Sequence, residues 1–291
     1  MLWRWKEALF EALGRFITGK GGSILAPNIA FSLMLALFPF LLFILSLAVT
    51  FSTEVDVEEL IDLILSAWPE EVARPIEREL RAVAGGADGG LTLGALLTLF
   101  FASNGVESIR QAMTLAYHDV DRRPVWKTRL IGLGLVILGS GFVLAFTGVA
   151  VAFPLYMHFV GDALPAPLSW LFTDRIINLI LTLGLVVPGV FVCHLVLPGG
   201  RHGLRNIWPG VILTVALWAL AARGFAFYIS HYAAYSVIYA GLAGVISALI
   251  FLYLLAAILI FGAEFNGALI RQAKARDRHD PDAAEEGTPK T

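Results

Sequence analysis

Cysteine is nearly absent. Cys193 stands alone in the apolar run Ile176–Leu197, so the chain can form no intrachain disulfide and holds no cysteine-based metal set. A lone thiol in such a setting is a packing residue. Charge is scarce too, at 15% of 291 residues with a net value of −2. That leaves no basic excess of the kind phosphate neutralisation requires, which argues against nucleic acid as a partner. Signatures of soluble enzymes are also missing: no Gly-rich nucleotide loop, no His-Glu-x-x-His pair and no nucleophile elbow. No catalytic residue, cofactor or metal is therefore expected, and the chain reads as a non-enzyme.

What is abundant is apolar sequence. At 58% hydrophobic, the chain lies well above a soluble domain, where roughly 45–50% is usual. Between Lys20 and Glu54 no side chain is charged, a gap of 33 residues containing the run Pro27–Phe51. A run of that length reads as a transmembrane helix. Others follow at Leu91–Val106, Leu130–Met157, Ile176–Leu197, Pro209–Ala222 and Val237–Ala263. The second reaches span length only if its helix continues through Asn104, Glu107 and Gln111 toward Tyr117, and the fifth only if Arg223 to Ser230 extend it. The expected fold is all-α, a polytopic membrane protein of six transmembrane helices. Sixteen of the 21 Lys and Arg then fall on one side, which by the positive-inside rule places both termini in the cytoplasm. No cleavable signal peptide is apparent, since the first apolar run is too long to be an h-region.

Two amphipathic elements accompany the spans. In the N-terminal segment Leu2, Trp5, Leu9, Leu13, Phe16 and Ile17 recur at helical spacing. Either an interfacial helix or a helix packed on the bundle end uses such a stripe. Residues 54–90, between spans one and two, predict an external hairpin of short amphipathic helices, with Val57, Leu60, Ile61, Ile64, Leu65 and Trp68 on one face, ending in a Gly-rich connector. Its ten carboxylates lack histidine and ligand spacing, so they read as a solvated face, with a cap over an external cavity mouth as the functional version. The domain reading is a transmembrane domain over 1–270 and a cytoplasmic, largely disordered tail over 271–291.

Polar residues inside the membrane zone are the candidate site, because ionisable groups in hydrocarbon normally face the bundle interior or a watery cavity. They are Asn28 and Ser32 on span one, Asn104, Glu107, Ser108, Arg110 and Gln111 on span two, Arg223 on span five, and Glu264 and Asn266 on span six. Glu107 and Arg110 can pair at i, i+3. These residues form either a track for a charged or amphipathic headgroup or a set of boundary residues and interhelical hydrogen bonds. His194 and Arg223 read more simply as side chains that snorkel to the interface. The lone pair in Tyr117-His118-Asp119 is read as a helix cap or turn.

Three stretches carry a resemblance: Ala26-Pro27-Asn28-Ile29-Ala30-Phe31-Ser32 leading to Leu37-Phe38-Pro39-Phe40; Phe101-Ala102-Ser103-Asn104-Gly105 with the helix to Ala116-Tyr117; and Tyr239 to Gly244 through Gly262-Ala263-Glu264-Phe265-Asn266-Gly267. Over about residues 15 to 270 the chain resembles the YihY/BrkB family of bacterial inner-membrane proteins, once labelled ribonuclease BN. The resemblance implies six helices with cytoplasmic termini. The ribonuclease label fits these residues badly, since no basic groove, aromatic platform or catalytic carboxylate pair is visible. Where the family often has tyrosine after the Ala-Phe of span one, this chain has Ser32. The functional expectation is transport or flipping of an amphipathic, lipid-like substrate, with membrane lipids as partners. A non-transporting scaffold in envelope assembly is the alternative, and a homo-oligomer is left open.

Overall fold

Apolar runs this long can satisfy their backbone amides in lipid only as helices or closed barrels. The computed structural model is helical, with no strand among its described residues, which are 2–19, 24–37, 91–160, 174–232, 240–279 and scattered positions between 58 and 81. In chain order the helices are α1 (Leu2–Thr18), α2 (Ala26–Leu37), α3 (Leu91–Ala116), α4 (Val125–Val160), α5 (Asp174–Val196), α6 (Leu204–Tyr232) and α7 (Ala240–His279). Four stretches are long and apolar enough to cross a membrane: Val125–Phe146, Leu179–Val196, Leu204–Ile229 and Val245–Arg276. Their outer faces leave Leu138, Ile180, Leu220 and Ile246 exposed, large apolar side chains that lipid, not water, would cover.

The two remaining expected spans differ from these four. α2 covers the start of the first, and residues 38–51 lie outside the described residues. α3 is unbroken for 26 residues, continuing through Asn104, Glu107 and Gln111 as its short apolar run required, and is about 39 Å long at the α-helical rise. α6 likewise continues past Arg223 to Tyr232. α7, with 40 residues, outlasts any bilayer core and runs to His279, into the segment expected to be an irregular tail; residues 280–291 lie outside the described residues.

One core joins the helices at the end where α1 lies. Ala26 and Ile29 of α2, Ala112, Met113 and Ala116 of α3, Val190 of α5, Ile207 and Val211 of α6, and Ala256, Ile260 and Ala263 of α7 are all buried in it. α6 and α7 cross almost backbone to backbone. A Cβ on Gly262 would strike the Thr214 hydroxyl and the Gly210 carbonyl, and one on Gly210 would strike Asn266 and the Gly262 carbonyl. Without a hydrophobic drive between helices in lipid, small residues that permit such contact are what hold them together.

The same principle seats α1 on α7. Its contact residues are Ala8 and Ala12, fully buried beside Phe265 and Ala268, with Trp5 edge-on to Phe265 and Phe16 edge-on to Phe261. Leu9, Leu13 and Ile17 of the expected stripe are exposed, as is Phe10 at 73%. The helix is thus packed on the bundle end through its alanines, Trp5 and Phe16, while Leu9, Phe10, Leu13 and Ile17 point away. In the 54–90 segment Ile61 and Leu65 are buried, as the amphipathic pattern required. Arg81 there draws Glu58, Asp62 and Glu77 into exposed ion pairs at 3.0, 2.6 and 2.9 Å. Among the described residues no group of His, Cys, Asp or Glu is arranged to hold a metal ion.

Candidate functional site

Pro209 has no N–H to give to the α6 ladder, and just beyond it Asn266 of α7 reaches across to the opened backbone. The Gly210 N–H donates to Asn266 Oδ1 at 2.7 Å, and Asn266 Nδ2 donates to the Ile207 carbonyl at 2.8 Å and to Tyr117 Oη at 2.9 Å. Tyr117 Oη lies 2.7 Å from His194 Nδ1. The bond directions fix the tautomer: Asn266 is oriented by the Gly210 N–H, the Tyr117 hydroxyl must donate onward, and His194 Nδ1 accepts, so its proton sits on Nε2. That Nε2 is buried without a hydrogen-bond partner. His194 and Asn266 are both fully buried. His194 therefore does not snorkel; it is an interior member of a polar knot joining α3, α5, α6 and α7.

Below the knot, α3 ends in a Schellman turn. The Asp119 N–H bonds to the Thr114 carbonyl and the His118 N–H to the Leu115 carbonyl, both at 3.0 Å. His118 occupies the left-handed position with φ 56°, a place glycine usually takes. The turn prepares two carboxylates. Asp119 Oδ2 accepts from the Gly200 N–H at 2.9 Å and pairs with His202 Nε2 at 2.7 Å, and a Cβ on Gly200 would collide with that carboxylate. His202 stacks on Tyr117 with ring centroids 4.3 Å apart. Asp121 grips Arg123, which in turn donates to the carbonyls of Val196, Leu197 and Pro198 at 3.2, 2.9 and 2.9 Å. A guanidinium there caps the orphan carbonyls at the end of α5 and meets the negative pole of its dipole. The Arg123 hydrogen bonds, foremost, hold the Asp121 carboxyl down at about 2.

Glu107 and Arg110 pair as their spacing implied, through bonds of 2.6 and 2.8 Å. Arg110 also bonds Asp121, so this pair leads into the α5 cap. Gln111 donates to Glu107 at 3.0 Å. Asn104 Oδ1 accepts from Arg129 at 2.6 Å, and Ser108 joins Ser32 at 2.9 Å. Asn28 is exposed at the start of α2, and Arg223 is exposed on α6, about 28 Å along the helix from Leu204 and so far from the rest of the set.

Glu264, two residues before Asn266, faces elsewhere. It enters a cavity of about 490 Å³ between α1, α2, α3 and α7, lined by Arg15, Thr18, Leu25, Leu115, His118 and Ile260 among others. Its side chain is only 9% exposed, and Oε2 makes no hydrogen bond. Arg15 Nη1 lies 2.8 Å from His118 Nε2. Burial first, then Arg271 and Arg15, hold His118 below its ordinary value. The ring is neutral at pH 7 and its Nε2 accepts from Arg15, so the 3.5 Å approach of Glu264 to that nitrogen is not an ion pair. A buried carboxyl oxygen left unbonded costs about 1–3 kcal/mol. Neither Asn104 nor Glu107 lines this cavity.

A family model described as Virulence factor BrkB matches residues 15–287. The chain belongs to the BrkB family. The match takes in Arg15, the α3 turn, the α5 cap and both polar residues of α7, so the whole site lies inside the BrkB region. The BrkB-family chain is 26% identical over 285 residues to a ribonuclease-like protein, YfkH, of Bacillus subtilis, covering 93% of this chain and 98% of that one. It is 22% identical over 255 residues to a UPF0761 membrane protein of Alteromonas mediterranea, covering 85% and 82%. A UPF0761 membrane protein of Pseudoalteromonas atlantica is 23% identical over 257 residues, covering 84% and 80%. No solved structure matches the chain.

Among the described residues, Tyr117, Asp119, Asp121, Arg123, His194 and His202 carry the site's interactions without having been read as site residues. Charge in a short loop is ordinary, and only partners on another helix give it meaning.

Proposed function

We propose that this BrkB-family membrane protein is a non-enzymatic carrier that moves or flips an amphipathic, lipid-like substrate across a bacterial inner membrane, with six spans and both termini in the cytoplasm. The observation that carries the reading is the cavity at the α1 end. Its lining combines polar residues (Arg15, Thr18, His118 and Glu264) with apolar ones (Leu25, Leu115, Ala116 and Ile260). A wall of that kind suits a molecule that is half headgroup and half chain, and a volume of about 490 Å³ is within the usual range for a ligand site. A scaffold would be served as well by a filled bundle, so the cavity favours transport over that alternative. The orientation rests on the placing of sixteen of 21 Lys and Arg on the α1 side.

The transport reading is tested by reconstituting the protein into vesicles that contain headgroup-labelled phospholipid and adding a membrane-impermeant quencher, with and without an imposed proton gradient. The protected half of the label should become accessible in protein-containing vesicles. A protected fraction equal to that of empty vesicles under both conditions refutes transport. For orientation, a cytoplasmic reporter fused after residue 20, near 125 or after 275 should be active, and one near residue 86 inactive.

A further inference from the structure

The buried, unbonded Glu264 oxygen and the Arg15 guanidinium present opposite charges to one cavity with no ion pair between them. The ring that approaches Glu264, at 3.5 Å, is the neutral His118, whose Nε2 is already taken by Arg15 at 2.8 Å. Glu11 supplies the remaining local acid, and it is held by Arg271 at 2.9 Å and by Arg15 at 3.5 Å. A carboxylate with an open lone pair asks for an N–H donor or a cation, whereas a guanidinium with free donors asks for an oxyanion such as phosphate. Thr18, also in the lining, has its hydroxyl engaged by the Gly14 carbonyl at 2.7 Å. The apolar residues Leu25, Leu115 and Ile260 also line the cavity.

Building on the carrier reading above, we infer that this cavity is a binding site for a zwitterionic aminophosphate headgroup, with the ammonium on Glu264 and the phosphate on Arg15, the acyl portion lying against Leu25, Leu115 and Ile260. A purely anionic headgroup would leave Glu264 unbonded and set its own charge against the carboxylate. The site therefore discriminates by the amine. Two sources share this chemistry, phosphatidylethanolamine in the membrane and free phosphoethanolamine in the cytosol.

The experiment is equilibrium binding to the purified full chain in detergent, without any transport step. Retention of dioleoyl-phosphatidylethanolamine and dioleoyl-phosphatidylglycerol is compared by native mass spectrometry, and O-phosphoethanolamine is titrated calorimetrically. The amine lipid should be retained roughly tenfold better than the glycerol lipid, as for one charge-assisted contact. Glu264→Gln should bring that ratio close to one by weakening the amine lipid alone, and Arg15→Gln should weaken both. Equal retention by the unmodified chain, or an unchanged ratio in Glu264→Gln with an unchanged melting curve, overturns the inference. If Glu264→Gln does not fold, the unmodified chain and Arg15→Gln, altered on a half-exposed side chain, still decide it. Calorimetric binding of phosphoethanolamine as tight as the lipid's assigns the site to the soluble source. Loss of the amine preference with lipid movement intact in vesicles sinks this inference and spares the carrier reading. The preference without movement does the reverse.

Discussion

Replacing Asn266 by leucine keeps the branched shape and the heavy-atom count of the side chain and deletes its amide, which tests the polar knot as a source of stability. Asn266 is fully buried, so water cannot simply take the amide's place. The change strands the Gly210 N–H, bonded at 2.7 Å, and the Ile207 carbonyl, bonded at 2.8 Å, while Tyr117 keeps its bond to His194. Two buried backbone groups at about 1–3 kcal/mol each give a loss of about 2–6 kcal/mol. The added apolar contact of leucine returns about 1 kcal/mol. The net expectation is a loss of about 1–5 kcal/mol, with about 3 as its centre. At roughly 2–4 °C per kcal/mol for a chain of this size, the melting temperature in detergent should fall by on the order of 10 °C. Asn266→Asp, which retains the acceptor for Gly210 and loses both donors, should fall between leucine and the parent. A leucine variant that melts within about 2 °C of the parent refutes the argument, because stranded groups in a dry interior cannot be that cheap.

His118→Gly removes a left-handed side chain worth about 1–2 kcal/mol of strain and adds about 0.5–1 kcal/mol of chain entropy, so its melting temperature should stay within a few degrees of the parent. His118→Val should be clearly less stable than the glycine variant, and equal melting of the two would dispose of the strain argument. Asp121 is held at about 2, against 3.8 without its partners. Its folded value is depressed, so its stabilisation is complete above pH 4 and is lost as pH falls from 4 toward 2. After allowance for solvent screening this amounts to on the order of 1 kcal/mol. In a pH series of melts Asp121→Asn should lose part of the parent's acid sensitivity in that window, and an identical acid profile speaks against the role given to Arg123. Gly262→Ala should separate α6 from α7, because the new methyl meets both the Thr214 hydroxyl and the Gly210 backbone. A loss of about 1–3 kcal/mol is expected, and a neutral outcome in the melt means that the crossing is looser than described.

Class, helical content and membrane residence were legible in one dimension. Insertion depends on residue type summed along a segment, and the uncharged stretch from Gly21 to Thr53 needs no partner to declare itself. Local geometry was legible as well. The continuation of α3 and the pairing of Glu107 with Arg110 follow from spacings of a few residues on a single helix. The knot was not, since Asn266 bonds Tyr117 across 149 residues and lies beside His194 across 72. Which helices become neighbours is not encoded in hydropathy, because positions facing lipid and positions facing another helix are equally apolar. For the same reason the large apolar stripe of α1 gave its contact face only in part: Trp5 and Phe16 lie against α7, Leu9, Leu13 and Ile17 are exposed, and Ala8 and Ala12 are the fully buried contacts. In lipid the close fit of small side chains, not the burial of large ones, holds helices together. The cavity depends on that packing in turn. Arg15, His118 and Glu264 come from α1, the turn after α3 and the interior of α7, and only the docking of α1 on α7 brings a cation, an imidazole and an unbonded carboxyl to one space.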